Sequence, residues 1–364
     1  MEDRAWIATR KGLFELRRRG RAWGVERISF LGDPVSMLLP PRGAGRMLAA
    51  LNLGHFGVKV HASDDGGATW TEVATPTYPP QPEGAPGPAW KLLQIWSMAR
   101  AGDAVYAGTL PGGLFRSDDG GASWALDLNL WNQPKRPEWF GGGYPEPGIH
   151  SLCPHPDGSL LLGISCAGAW VTQDGGTSWR QTAHGMRADF LPPEQAGDPD
   201  GQDPHAIVRC AAKPEVLWCQ HHCGIWRSVD SGASWQEVTG VPVSAFGFAV
   251  GVHPADADTA WFVPAVKDER RIPVDGSLVV NRTRDGGRSF ETLRDGLPQQ
   301  DCYDLVYRHG LAVGRDGRSL LIGSTTGGLW ASDDGGDAWT EIAVRFPPIY
   351  AVRFDDFSGK VPSR

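Results

Sequence analysis

Cysteine, methionine and tyrosine are scarce in this chain, at 6, 5 and 6 of 364 residues. The cysteines lack the dense spacing that staples small secreted domains, so reduced thiols and a cytoplasmic setting are expected. Basic charge is also short: Lys and Arg number 35 against 42 Asp and Glu, a formal net charge of −7. That balance argues against a nucleic-acid partner, which calls for a face that neutralises phosphates. The one basic run, Arg17-Arg18-Arg19 with Arg21, is short and broken by Gly20, and reads as a solvated hairpin turn. No stretch approaches 18 consecutive apolar residues, which excludes a spanning helix, and no membrane partner is expected. Met1-Glu2-Asp3-Arg4 opens straight into a strand-like run, so no signal peptide is expected either.

What is abundant is turn chemistry beside aromatics: 48 Gly, 29 Pro and 16 Trp, with 41% hydrophobic residues. That mixture points to many short strands joined by tight turns around a large core. A repeat organises it. The motif recurs as SDDGGATW (63–70), SDDGGASW (117–124), TQDGGTSW (172–179), SVDSGASW (228–235), TRDGGRSF (283–290) and SDDGGDAW (332–339). Its third-position aspartates, Asp65, Asp119, Asp174, Asp230, Asp285 and Asp334, are spaced at 49 to 56 residues.

Each copy has a local physical logic. The Asp is expected to bond its own backbone two residues on, the glycines to take positive φ, and the closing aromatic to re-enter the core. Upstream lie a short apolar strand such as Gly168-Ala169-Trp170-Val171, a buried one such as Leu160-Leu161-Leu162, and a further one such as Ile149-His150-Ser151-Leu152. Four strands per repeat of about 50 residues is a propeller blade. The N-terminus supplies a degenerate copy lacking its first strand, and Ile349-Tyr350-Ala351-Val352 is a lone strand at the other end. The expected fold is therefore all-β, one seven-bladed β-propeller domain over 1–364. Strands within 4–30 and a C-terminal strand at 348–355 share blade 1, closing the ring and removing open edges.

The motif resembles the Asp-box, or BNR repeat. The superfamily that carries it includes sialidases, xyloglucan-active glucanases, sortilin-type receptor domains and a photosystem II assembly factor. The chain looks closest to bacterial BNR-like proteins often called glycosyl hydrolases or exo-alpha-sialidases. The resemblance implies that the Asp-box is a peripheral fold element, so Asp65 and Asp119 are not expected as catalytic acids. Sialidases also carry an Arg-Ile-Pro tripeptide whose Arg binds the substrate carboxylate. Arg271-Ile272-Pro273 matches it, but in a different blade, inside an insertion at 267–275. No Tyr–Glu nucleophile pair can be assigned by motif.

Propellers bind ligands over the channel mouth, through the loops that enter each blade and those joining its second and third strands. Three long loops, 75–91, 128–148 and 183–204, lead into blades 3, 4 and 5. They carry Trp90, Trp131, Trp139, Phe140 and Tyr144 as stacking faces, with Glu138, Asp189 and Asp203 among their charges. Aligning the first strands places Trp96, His150, His205, Phe248, Asp304 and Tyr350 at one equivalent position around the mouth. Arg209 shares the face of His205, and Arg308 that of Asp304. The turn Cys219-Gln220-His221-His222-Cys223 adds two imidazoles nearby.

Three functions are compatible with these residues. The first is a glycoside-hydrolase-like protein acting on a carbohydrate or similar small polar ligand, with Asp203 and Asp304 as carboxylates and His205 and His150 assisting proton transfer. Trp96, Arg209, His221, His222, Tyr350, Trp139, Glu138 and Asp189 would contact the ligand, and no cofactor is required. The second is a non-catalytic ligand-binding or scaffold propeller. The third is a metal-dependent enzyme holding a transition metal on His150, His205, His221 and His222, although Cys219 and Cys223 lack zinc-type CxxC spacing.

Overall fold

Seven four-stranded antiparallel sheets stand in a ring, as seen in a computed structural model that describes residues 2–20, 22–85 and 89–355. Arg21 of the basic run and 86–88 of the first long loop lie outside the described residues. Successive innermost strands contact one another around the circle, so the fold is a seven-bladed propeller. Those strands are Val35–Leu39, Gln94–Ala101, Ile149–Pro154, Pro204–Arg209, Gly247–Val252, Leu311–Val313 and Ile349–Phe354, for blades 2 to 7 and then blade 1. Blade 1 is ordered Ile349–Phe354, Arg4–Thr9, Gly12–Arg19, Ala22–Ser29, with Ala5 opposite Phe354 and Ile7 opposite Val352. The last strand thus closes the ring on the first, as the sequence pattern requires.

The core lies between blades rather than within them. Met37 and Leu48 of blade 2 pack with Ile95 and Phe115 of blade 3, and Trp261 and Leu293 of blade 6 with Leu320 and Trp330 of blade 7. Each such slab joins two sheets. A fully buried side chain of this size contributes about 1.5–3 kcal/mol.

The aspartate turns form as expected in outline and differ in one detail. In the 117–124 copy the Asp119 carboxylate accepts from the Ser117 hydroxyl at 2.7 Å, the Ser123 amide at 2.8 Å and the Ser123 hydroxyl at 2.6 Å. The bond therefore reaches four residues on, not two, and spans the whole turn. Gly120 and Gly121 take φ of 70° and 91°. The second glycine has an additional role. A Cβ at Gly67, Gly121, Gly232, Gly287 or Gly336 would lie less than 3.0 Å from Trp6, Leu48, Leu161, Val238 or Leu293, each in the preceding blade. Every one of these turns leans on the sheet before it.

Blade 7 corrects the strand alignment. Its inner strand is Leu311–Val313, paired Leu311 to Ile322, whereas the segment holding Asp304 is irregular. Gly323 donates to the Gly310 carbonyl at 2.8 Å, and Gly163 of blade 4 pairs with Ser151. The blade 7 counterpart of His150 is therefore His309, five residues beyond Asp304.

Candidate functional site

The inner strands share a defect that builds the site. Pairing skips one residue between Val35 and Met37, Ile95 and Ser97, Ile149 and Ser151, and Pro204 and Ala206, and on blade 1 it skips Tyr350. Blade 6 is irregular between Gly247 and Val250. Such a bulge re-aims the extra side chain and locally ends the ladder. The bulged residues are Ser36, Trp96, His150, His205 and Tyr350, with Phe248 in the blade 6 irregularity. Apart from Ser36, these are the residues the sequence alignment put at one level of the mouth.

Over them opens a cavity of about 920 Å³. Ser36, Trp96, His205, Phe248 and Tyr350 line it, with Tyr307, Arg308 and His309 from blade 7. Gly142, Gly143 and Tyr144 come from the 128–148 loop, Arg271 from the 267–275 insertion, and Asn52 to Gly54 with Phe56 from blade 2. Arg10 and Asp33 complete its charges, and Asp33 is the one carboxylate among the lining residues.

Arg308 is the unusual group. Its guanidinium lies 4.8 Å from the Trp96 ring centroid and 5.4 Å from that of Phe248, and its Nε is buried without a partner. Among the described residues no carboxylate forms an ion pair with it, and the acidic charge that acts on it from beyond contact is that of buried Asp203. Burial pulls its pKa below the ordinary guanidinium value, yet an arginine stays cationic near neutrality. Arg271 lies 5.5 Å from the Phe248 centroid, held by Asp268 and 3.4 Å from the Tyr307 hydroxyl. Deeper in, Arg353 approaches His309 Nδ1 at 3.1 Å. Burial lowers the pKa of His309 and His150 well below the imidazole value, so both are neutral.

A second cavity of about 540 Å³ adjoins the first and shares Gly142. Asp203, His222, Cys166, Phe190 and Phe246 line it, with Lys267, Asp268 and Glu269. Asp203 is buried, 3.5 Å from His205 Nε2 and 3.5 Å from His222 Nδ1 through the same Oδ2. His205 Nδ1 lies 2.6 Å from the Gly247 carbonyl, and the ring stacks on Phe248 at 4.5 Å. These three side chains could hold a metal ion.

The remaining expected residues separate from this pair of cavities. Asp304 accepts from the hydroxyls of Ser324 and Thr326 and shapes a blade 7 turn, outside the cavity lining. Asp203 and Asp304 are thus not brought together as a catalytic pair. His150 lies beneath Trp96, Nδ1 against Ser151 Oγ at 3.0 Å. His221 faces the amides of Asp203 and Cys223, each at 3.0 Å, and burial holds its pKa down to about 3. Neither joins His205 and His222 around one point, so the four-histidine grouping does not form. Arg209 turns to the Pro214 carbonyl, Trp139 packs on Trp170, Glu138 is exposed, and exposed Asp189 pairs with Arg187 at 2.7 Å. Trp90 and Trp131 clamp Arg136 and anchor their loops. Sequence reasoning missed Ser36, Asn52, His309 and the two glycines at 142–143. It placed Arg308 by strand alternation from Asp304, a register the structure revises.

No family model matches the chain, and no curated protein matches it. Solved structures do. An ancestral GH74 enzyme superposes with a TM-score of 0.57 at 15% identity, covering 93% of this chain and 40% of its own. The present chain therefore spans about two fifths of that enzyme's length. YCF48 from Cyanidioschyzon merolae gives 0.56 at 15% identity, covering 87% of each chain. A chain of the mitotic checkpoint complex gives 0.55 at 11%, covering 90% of this chain and 83% of its own. Likeness at such identities shows the propeller fold and leaves function to the site.

Proposed function

We propose that this chain is an Asp-box propeller that binds an anionic, ring-bearing polar ligand of the acidic-carbohydrate class at its channel mouth. The observation that carries this reading is Arg308, a cation set between Trp96 and Phe248 with no carboxylate in ion-pair contact among the described residues, lining a cavity whose one described carboxylate is Asp33. A carboxylate or sulfate on the ligand supplies the missing charge, and a charge-assisted bond contributes about 1.5–3 kcal/mol. Arg271 offers a second guanidinium, while Tyr144, Tyr350 and Asn52 offer polar groups for hydroxyls beside the Trp96 face.

The glycoside-hydrolase reading has the fold likeness to a GH74 enzyme behind it, and it requires two carboxylates flanking a bond. Asp33 is the one described carboxylate lining the main cavity, and Asp203 lies under Gly142 in the adjoining one. Binding is accordingly the better-supported function. Isothermal titration with glucuronic acid, N-acetylneuraminic acid and their neutral counterparts tests it. Acidic sugars bind the wild type, and Arg308→Gln weakens them roughly 10- to 100-fold. Equal binding of neutral sugars, or an unaltered affinity in Arg308→Gln, defeats the proposal. Turnover of chromogenic glycosides would restore the hydrolase.

A further inference from the structure

Three polar side chains of blade 5 converge on one point that none of them fills. The Asp203 Oδ2 atom is 3.5 Å from His205 Nε2 and 3.5 Å from His222 Nδ1, and the three donor atoms lie within 4.8 Å of one another. A direct N–H···O bond runs at about 2.7–3.2 Å, so these separations are long for hydrogen bonds. They suit a different arrangement. Two ligands of one tetrahedral ion, each bonded at about 2.1 Å, stand roughly 3.4 Å apart.

The protonation pattern points the same way. His205 Nδ1 meets the Gly247 carbonyl at 2.6 Å, an atom that can only accept, so the proton of the neutral ring sits on Nδ1. Nε2 then presents a lone pair to the Asp203 carboxylate, itself an acceptor. Anchoring one imidazole nitrogen on a carbonyl to free the other is how metal-binding histidines are oriented. Asp203 is 1% exposed and has no Lys or Arg ion pair among the described residues, the Arg308 guanidinium acting on it only from beyond ion-pair distance. A buried carboxylate in that position calls for a cation. The backbone is shaped around it: a Cβ at Gly142 would stand 2.7 Å from Oδ2, and the Cys166 amide donates to Oδ1 at 3.3 Å.

We propose that Asp203, His205 and His222 bind a divalent first-row transition-metal ion of the Zn²⁺ class, with its open coordination positions facing the second cavity. Two imidazoles and one carboxylate are a ligand set such ions favour, and three protein ligands leave room for an exogenous one. The site goes beyond the channel-mouth proposal and shares with it only His205, which also lines the first cavity beside Arg308; Zn²⁺ binding and sugar binding are read separately, so either can fail alone.

The test uses the full chain, tag removed and stripped with chelator. Titration with Zn²⁺ alone should give one equivalent, and the melting temperature should rise with Zn²⁺ concentration. His222→Ala removes the half-buried ligand, and Asp203→Asn the buried one; each should lower Zn²⁺ affinity at least roughly 100-fold. X-ray absorption on the wild-type Zn²⁺ complex reads the ligands even if a variant does not fold, and should show two imidazoles and no sulfur. No stoichiometric binding by folded wild type, affinity kept in both variants, or a sulfur-ligated spectrum overturns the proposal.

Discussion

Ser117 shows how a small side chain holds a turn. Its hydroxyl donates to Asp119 and accepts the Gly121 amide at 2.7 Å, and the residue is buried. Ser117→Ala leaves that amide without an acceptor, and should cost about 1–3 kcal/mol, read as a lowered chemical-denaturation midpoint. At the channel mouth, five residues were legible because strand register is periodic: Trp96, His150, His205, Phe248 and Tyr350 were placed by alignment alone. Asp304 was misplaced because its segment resembles a strand in composition but forms no strand ladder, while the register of blade 7 is set by Gly310 against Gly323. Nothing in the sequence announces that pairing. Arg308 shows the complementary limit: a cation's lack of a partner is a property of three-dimensional packing.

At the scale of elements, the aspartate turns join each blade to the one before it. Gly232 packs on Leu161 of blade 4, where a side chain has no room, whereas Gly158, at a similar φ, faces open space. Gly232→Ala should therefore lose about 1–3 kcal/mol by overpacking in addition to its left-handed strain. Gly158→Ala should lose only the strain, about 1–2 kcal/mol. Comparable losses for the two variants in urea titrations would remove the interblade role. The turn's existence was plain in the sequence, since six copies of S/T-x-D-x-G specify it. Its neighbour was not, because contacts 43 to 73 residues apart leave no local pattern. The long loops divide in the same way. Trp90, Trp131 and Trp139 serve as anchors, while Gly142 to Tyr144, with little hydrophobic signal, reach the cavity.

Over the whole molecule, two populations of shifted groups set the response to acid. Burial holds His221 near 3 and lowers His150, His205 and His309, so these histidines stay neutral in the fold and take up protons on unfolding. Their contribution is complete above about pH 6.5 and falls as pH drops below it. Hydroxyls and amides of the turns, chiefly Ser123, Ser178 and Ser289, hold Asp119, Asp174 and Asp285 at about 2. These carboxylates stabilise the fold above their unfolded value of about 3.9, and that part is lost as pH falls towards 2. Thermal melts across the range should show a shallow decline beginning near pH 6.5 and a steeper one below 4. A flat profile from 7 to 5 would mean that the histidines are charged in the fold. Ring closure is the other global property. Deleting residues 349–355 strips the Arg4–Thr9 strand of its inner partner, and should abolish the cooperative melt.

That same closing pair has a direction, and direction matters under force. Ala5 lies opposite Phe354, and Thr9 opposite Ile349, so the two strands diverge towards the chain ends from a shared side. Tension applied through the ends would peel their bonds one after another instead of loading them together. A ring closed on all sides against heat and denaturant is therefore latched like a zip, and a pull at its ends loads that latch one bond at a time.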